Sequence, residues 1–277
     1  MLVIKVGGGE GNAVEPLLDE LSHLWEQGER WILVHGGSAR TNKISEQLGR
    51  PPEFITSPSG FTSRRTDKRT AKILAMVYTG EVNTSIVREL QQRGVNAVGL
   101  SGIDGGLFSG PRKKALIAQE NGHRKVIRDD YTGKVSRVNV HLLETLLNAG
   151  FAPVISPPAI SDEHDIINVD GDRASAALAG AIQAESLILL TGASGVLTDV
   201  NDMDSVISSI PEDKIGQVIE VFAEGRMRIK LLAAREALQS GVQRVYISAS
   251  DVEQPVIHAL NGGGTVIENV VSVDGVV

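Results

Sequence analysis

The chain contains no cysteine, which excludes disulfide staples and cysteine–zinc sites and fits a reducing compartment. No apolar run approaches the ~20 residues that a membrane span needs. The first such run, Leu2 to Val6, is interrupted by Lys5 and meets glycines, which is not the pattern of a secretory leader. A soluble, cytoplasmic protein without a membrane partner is expected, so the Asn83-Thr84-Ser85 sequon carries no weight. Positive charge is also in deficit: the net charge is −7, which argues against general nucleic-acid binding. What is present is ample apolar material, 42% of 277 residues, enough for one large α/β domain or two lobes sharing a sheet.

The deficit is uneven. Residues 1–150 hold 20 Lys+Arg against 16 Asp+Glu (+4), and residues 151–277 hold 7 against 18 (−11). Two basic clusters stand out in the first half: Arg64, Arg65, Lys68, Arg69 and Lys72, then Arg112, Lys113 and Lys114 with Arg124, Lys125 and Arg128. A charge run is usually a solvated face, but two in one half point to an acidic partner there.

Familiar phosphate motifs are missing too. Leu2 to Gly11 reads as a buried strand ending in a glycine loop. No lysine follows at the Walker spacing, and Asn12 stands where a dinucleotide fingerprint needs its third glycine. Lys5 is either an edge residue whose ammonium reaches water or a cation held at the strand's carboxyl end beside bare N–H groups. Trp31 to His35 is a second strand running into Gly36 and Gly37, with Ser38 placed to cap a following helix. Two such strands in one β-α-β unit set two glycine loops side by side, a better phosphate cradle than either alone.

Further on, helices are expected over 64–79 and 82–93, and Asn121-Gly122 and Thr132-Gly133 predict β-hairpins leaving the main body. Strand–helix alternation then continues to Thr265 to Glu268, the signature of a parallel sheet covered on both faces. A break near residue 185 suggests lobes 1–185 and 186–277. The run Asn168-Val169-Asp170-Gly171-Asp172 precedes an alanine-rich helix. As a calcium loop it fails, with Arg173 at the sixth position and Ala179 at the twelfth. Its carboxylates could cap the helix or hold lysine ammoniums around a nucleotide. Lys230, near the start of another helix, could as well be an ordinary surface lysine.

IKVGGG at 4–9, VHGGS at 34–38, SRRTD at 63–67, GLSGIDGG at 99–106, INVDGDRASAALA at 167–179, LLTGASGVLTD at 189–199 and GRMRIK at 225–230 together resemble the amino acid kinase family. The motifs fall in order over nearly the whole chain. The resemblance implies a three-layer αβα sandwich around an open, mainly parallel sheet, with β-hairpins projecting from an acceptor-binding first lobe (1–185) and ATP bound in the second (186–277). Within the family the chain is most similar to the branch of lysine biosynthesis that phosphorylates the side-chain carboxylate of 2-aminoadipate held on LysW, a small acidic amino-group carrier protein. Ser38 in place of a third glycine, SRRTD, GLSGIDG with GPRKK at 110–114, and the lack of an N-terminal extension favour that branch over N-acetylglutamate kinase of arginine biosynthesis.

The resemblance implies that Lys5 and Lys230 stabilise the transferred phosphoryl group and that Asp172 orients both. Gly7 and Gly8 would bind phosphate; Gly36, Gly37, Ser38, Arg64 and Asn168 would hold the acceptor. Residues 191–199 would line the ATP site, magnesium would ride on ATP with no protein metal site, and a homodimer is implied. Arg65, Arg112, Lys113 and Lys114 are expected to dock the carrier. Because a carboxylate is already a nucleophile at neutral pH, no general base is required. The rival readings are N-acetylglutamate kinase, dual action on LysW-bound glutamate, and a non-catalytic nucleotide-binding protein.

Overall fold

The computed structural model describes residues 1–9, 12–58, 60–120 and 123–269. Glu10 and Gly11 of the first loop and the Asn121-Gly122 turn dipeptide lie outside the described residues. The chain opens with strand β1 (Leu2–Val6), helix α1 (Glu15–Glu26), strand β2 (Trp31–His35) and helix α2 (Ser38–Gln47). A hairpin of β3 (Phe54–Thr56) and β4 (Thr62–Arg64) precedes helices α3 (Lys68–Ala75) and α4 (Thr84–Gln92). Next come β5 (Ala97–Ser101), β6 (Phe108–Gly110), the hairpin strands β7 (Leu116–Glu120) and β8 (His123–Ile127), β9 (Arg137–Val138) and α5 (Val140–Asn148). Strands β10 (Ala152–Ser156), β11 (Ala159–Ser161) and β12 (Ile166–Ile167) lead into α6 (Gly171–Ala181). The remainder is β13 (Ser186–Thr191), β14 (Ser209–Pro211), α7 (Ile215–Val221), α8 (Gly225–Gln239), β15 (Arg244–Ala249), α9 (Pro255–Leu260) and β16 (Thr265–Glu268).

Eight strands form the main sheet in the order β14-β16-β15-β13-β1-β2-β10-β5. Only the β15–β16 pair is antiparallel, so the sheet is mainly parallel, as the alternating pattern predicts. The sheet runs unbroken past residue 185, because β1 pairs directly with β13 (Leu2 opposite Ser186).

Parallel strands covered on both faces must be apolar throughout, and these are. Val3, Val34, Leu187 and Val245 point to a core shared with α5, α6, α7 and α8; Ile4, Leu33, Val154 and Ile188 point to one shared with α1, α4 and α9. Three layers result. Alanine explains how α6 and α8 come so close: Ala174, Ala176 and Ala179 are buried, and a Cβ on Gly180 would lie 2.4 Å from the Cβ of Ser240.

Three local expectations are corrected. Arg64 ends a strand rather than starting a helix; α3 begins after Asp67, whose carboxylate accepts from the Thr70 N–H at 2.7 Å. No break occurs at Gly80. Helix α3 instead passes through a widened π-type segment, Met76–Asn83, into α4, and such widening re-aims side chains. Thr132-Gly133 turns no hairpin: the two residues bridge to Asn168 and Arg112, beside a small sheet of order β12-β11-β6-β9. The projecting hairpins are β3–β4 and β7–β8.

Candidate active site

Lys5 sits on β1, a central strand with neighbours on both sides, and is only 5% exposed, so the edge reading fails. Its Nζ lies 2.6 Å from Oδ1 of Asp172. Asp172 stands in the first turn of α6, where a helix N-terminus favours a carboxylate. Lys230, in the second turn of α8, donates to both Asp172 oxygens, at 3.1 and 3.0 Å. All three side chains are buried. Burial acts to raise the Asp172 pKa, but the ammoniums of Lys230 and Lys5 overcome it and hold this carboxyl well below the usual range. Lys230 is pushed down to about 8 by burial and the neighbouring Lys5, against the pull of Asp172. Two cations share the Asp172 carboxylate, and Asp170 is a further acidic group close enough to act on Lys5 and Lys230.

The two acidic residues of the NVDGD run divide the roles that sequence alone left open. Asp170 caps α6, accepting from the Arg173 N–H at 3.0 Å, while Asp172 faces the lysines.

Beside this centre the two glycine turns touch. A Cβ on Gly8 would fall 1.9 Å from the Gly37 nitrogen, and one on Gly36 would fall 2.3 Å from the Gly8 nitrogen. Only glycine permits that approach. The N–H groups of Gly7 and Gly36 are taken by the carbonyls of Leu190 and Val6, whereas that of Gly8 has no acceptor among the described residues. Ser38 is not the cap of α2: Gly37 holds that position, and the Ser38 hydroxyl donates to the Gly8 carbonyl at 3.1 Å.

Arg64 is 8% exposed; its guanidinium donates to the Ser38 carbonyl at 3.3 Å and to Asn42 Oδ1, and stacks on the Phe54 ring at 5.3 Å. Its Nη1 is buried with no partner. A buried guanidinium with one unsatisfied nitrogen is suited to a carboxylate, an anionic acceptor with two oxygens. Asn168 joins it through Thr66: Asn168 donates to the Thr66 hydroxyl (3.1 Å), which donates to the Arg64 carbonyl (3.1 Å). Asp130, fully buried, holds this corner by accepting from the Thr66 and Thr132 N–H groups.

Sequence reasoning missed the layer behind the glycines. His35 is buried and neutral, its pKa pushed down to about 4 by desolvation. Its Nδ1–H donates to the Gly36 carbonyl (2.9 Å), because Asn83 donates to its Nε2 at 3.0 Å. Asn83 also donates to the Val154 carbonyl at 2.9 Å. With both ring nitrogens engaged, His35 orients the turn and is no general base. Tyr78 stacks on His35 and lies 3.1 Å from where a Gly37 Cβ would stand. Both Tyr78 and Asn83 come from the π-type segment, for which no sequence motif gives a signal.

The docking candidates separate. Lys113 and Lys114 are exposed, and Arg112 lies over the Tyr131 ring at 4.3 Å. Arg65 is clamped by Glu53 (3.2 Å) and Asp129 (2.9 Å).

A parallel α/β sheet whose strand tips carry glycine turns and a buried Lys–Asp–Lys cluster is the build of an enzyme that handles phosphoryl groups. The profile of the amino acid kinase family matches residues 1–248. The chain is 49% identical to a LysW-aminoadipate kinase of Deinococcus radiodurans, over 96% of this chain and 91% of that protein. It is 47% identical to the LysW-aminoadipate kinase of Thermus thermophilus, over 96% and 100%. Among solved structures, N-acetylglutamate synthase from Neisseria gonorrhoeae superposes with a TM-score of 0.77 at 23% identity, covering 97% of this chain and 59% of that one, a likeness of fold. The chain belongs to the amino acid kinase family. It is a kinase that uses ATP. Among the described residues no helix is long and apolar enough to cross a membrane.

Proposed function

We propose that this kinase transfers the γ-phosphoryl group of ATP to the side-chain carboxylate of 2-aminoadipate carried on LysW, in lysine biosynthesis. The observation that carries the reading is the buried Lys5–Asp172–Lys230 cluster beside touching glycine turns, with Arg64 offering an unpartnered nitrogen nearby. The names of relatives at 47–49% identity support it.

An acceptor carboxylate oxygen attacks the γ-phosphorus, the bond to the β–γ bridging oxygen breaks, and ADP departs, leaving an acyl phosphate. No proton has to be removed. Lys5 and Lys230 neutralise the equatorial oxygens as charge spreads, Asp172 holds the ammoniums in place, and the free Gly8 N–H adds a fixed dipole. Arg64, with Asn168, holds the acceptor's α-carboxylate. Both Asp172 oxygens are engaged by ammoniums. Magnesium would be held by the phosphates of ATP, where it supplies charge neutralisation. Two lobes (1–185 for the acceptor, 186–277 for ATP), a homodimer and a cytoplasmic location belong to the same reading.

The test is an acyl-phosphate trap with hydroxylamine, offering LysW-aminoadipate, LysW-glutamate and free N-acetylglutamate. Hydroxamate formed preferentially from LysW-aminoadipate supports the reading. Preference for free N-acetylglutamate would place the enzyme in arginine biosynthesis instead, and equal use of both LysW forms would make it dual.

A further inference from the structure

Lys230 shares its helix face with an arginine. Arg226 stands four residues earlier, in the first turn of α8, so the two side chains leave the helix on one side, about 6 Å apart along its axis. Lys230 is turned to Asp172, and Arg226 is thereby turned to the same cleft, one turn nearer the start of the helix. That start touches the acceptor hairpin of the first half. Arg228 places its guanidinium over the Phe61 ring at 4.7 Å, and its Nη1 lies 3.8 Å from where a Gly60 Cβ would stand. The Arg228 Nε is buried without a partner, so the ring contact is what holds this side chain. Phe61 immediately precedes β4, the strand that ends in Arg64.

Arg226 is exposed, and neither it nor Arg64 has an ion-pair partner among the described residues. Burial pushes the Arg64 pKa down, and the nearby Arg226 charge pushes it the same way. The Tyr78 hydroxyl, raised by burial, feels Arg64, Lys5 and Arg226 together. Two guanidiniums close enough to disfavour one another are suited to an anion held between them. We propose that Arg226 is a second guanidinium for the acceptor's α-carboxylate, opposite Arg64, and that Arg228, packed on Phe61, is the positioning residue that holds the hairpin and α8 at that spacing. The proposal rests on the acceptor reading above, in which Arg64 takes the α-carboxylate. The two carboxylates of a six-carbon diacid stand about one helical turn apart, so α8 meets one end of the acceptor with Arg226 and the phosphoryl group at the other end with Lys230.

The test is steady-state kinetics with two acceptors, LysW-aminoadipate and the same conjugate with its α-carboxylate converted to the carboxamide. Arg226→Ala should raise KM for LysW-aminoadipate about tenfold, the effect of losing one charge-assisted hydrogen bond, while KM for ATP stays within about twofold of wild type. Wild-type enzyme should discriminate against the carboxamide, and Arg226→Ala should lose about tenfold of that discrimination, which a merely structural role would not move. Arg228→Ala should raise the acceptor KM several-fold by letting the hairpin part from α8, and Arg228→Lys, which keeps a cation over the ring, should recover most of the loss. An unchanged acceptor KM in Arg226→Ala, or an equal rise for carboxylate and carboxamide, would overturn the proposal while leaving the function standing. A rise confined to KM for ATP would assign Arg226 to the nucleotide phosphates and overturn it as well. Wild-type turnover of N-acetylglutamate but of neither LysW conjugate would overturn the carrier reading alone, and the same comparison made with N-acetylglutamate and its α-carboxamide would then decide Arg226.

Discussion

Lys5 and Lys230 come from opposite ends of the chain and meet on one carboxylate: Asp172 Oδ1 lies 2.6 Å from the first ammonium and Oδ2 lies 3.0 Å from the second. The arrangement stands on rigid elements, a central strand, the first turn of α6 and the second turn of α8, the two helices packed through alanine and glycine. Without the carboxylate the two ammoniums would repel each other in a buried site.

Asp172→Asn should therefore weaken both activity and the fold. Removing one partner of a buried ionic cluster costs roughly 3–5 kcal/mol, and loss of ordered transition-state charge costs about 10²-fold or more in kcat. Denaturant unfolding and the hydroxylamine assay check the two effects. A variant with wild-type stability and wild-type kcat would show that the cluster neither braces the fold nor orients the lysines.

The pH profile separates activity from stability. Lys230, with its pKa at about 8, loses its proton well below the ordinary 10.5, so kcat/KM should fall as pH rises through about 8. Stability should move the other way. Between about 8 and 10.5 the unfolded chain binds a proton that the folded chain has released, so the Lys230 contribution to stability grows with pH. In acid, the depressed Asp172 carboxyl contributes stability that is complete above 3.8 and is lost as pH falls below it. Kinetics and urea unfolding from pH 6 to 10 test the alkaline pair of trends; a flat kcat/KM across that range would contradict the first.

Glycine substitutions should rank by what the new methyl meets. Gly8→Ala places a Cβ 1.9 Å from the Gly37 nitrogen, so backbone must move and the turns part. Displacing a positioning loop by about 1 Å costs roughly 10²-fold in rate. Gly37→Ala meets only the edge of the Tyr78 ring, at 3.1 Å, which a few tenths of an ångström relieve, so its loss should be several-fold smaller. Steady-state kinetics on both variants decide the order, and an equal or reversed ranking would mean that the contact between turns is not what the reaction needs.

Much of this site was legible because its pieces are local patterns. Glycines after apolar strands, the alternating carboxylates before an alanine-rich helix, and the basic clusters each announce themselves within ten residues. Sequence could not rank neighbouring Arg64 and Arg65: Arg64, the last residue of β4, is buried toward the acceptor pocket, and Arg65, just past the strand, turns outward to Glu53 and Asp129. Which carboxylate caps α6 and which meets the lysines depends on contacts between β1, α6 and α8, far apart in the chain. The π-type segment left no trace, since the sequence pattern reads as two helices, 64–79 and 82–93, yet it supplies Tyr78 and Asn83. Long-range placement, rather than residue type, was the missing information.

The basic residues should respond differently to charge removal. Lys113→Ala with Lys114→Ala takes away two exposed cations with no ion-pair partner among the described residues, so KM for LysW-aminoadipate should rise and its dependence on salt should flatten. Arg65→Ala instead leaves Glu53 and Asp129 facing each other and should loosen the hairpins, lowering Tm by a few degrees. KM measured between 50 and 300 mM salt, over which the Debye length falls from ~14 to ~6 Å, together with thermal melts distinguishes them. An unaltered salt slope in the double lysine variant would remove these residues from carrier docking.

Asn83→Ala probes the layer behind the glycines. The Asn83 side chain is buried and donates to both His35 Nε2 and the Val154 carbonyl. Its loss strands two buried acceptors at a cost of ~1–3 kcal/mol each, less whatever water enters. It also frees His35 to take the other tautomer, which would release the Gly36 carbonyl from its donor and let the Gly36–Gly37 turn rotate. Unfolding should therefore shift by a measurable ~2 kcal/mol or more, with KM for the acceptor rising and KM for ATP nearly unchanged. Replacement by Leu leaves a side chain of about the same size without the amide donor, so it should behave like Ala if donation is the cause. Should the Leu variant instead match wild type in both stability and acceptor KM, packing rather than the hydrogen bond to His35 would be what holds the turn.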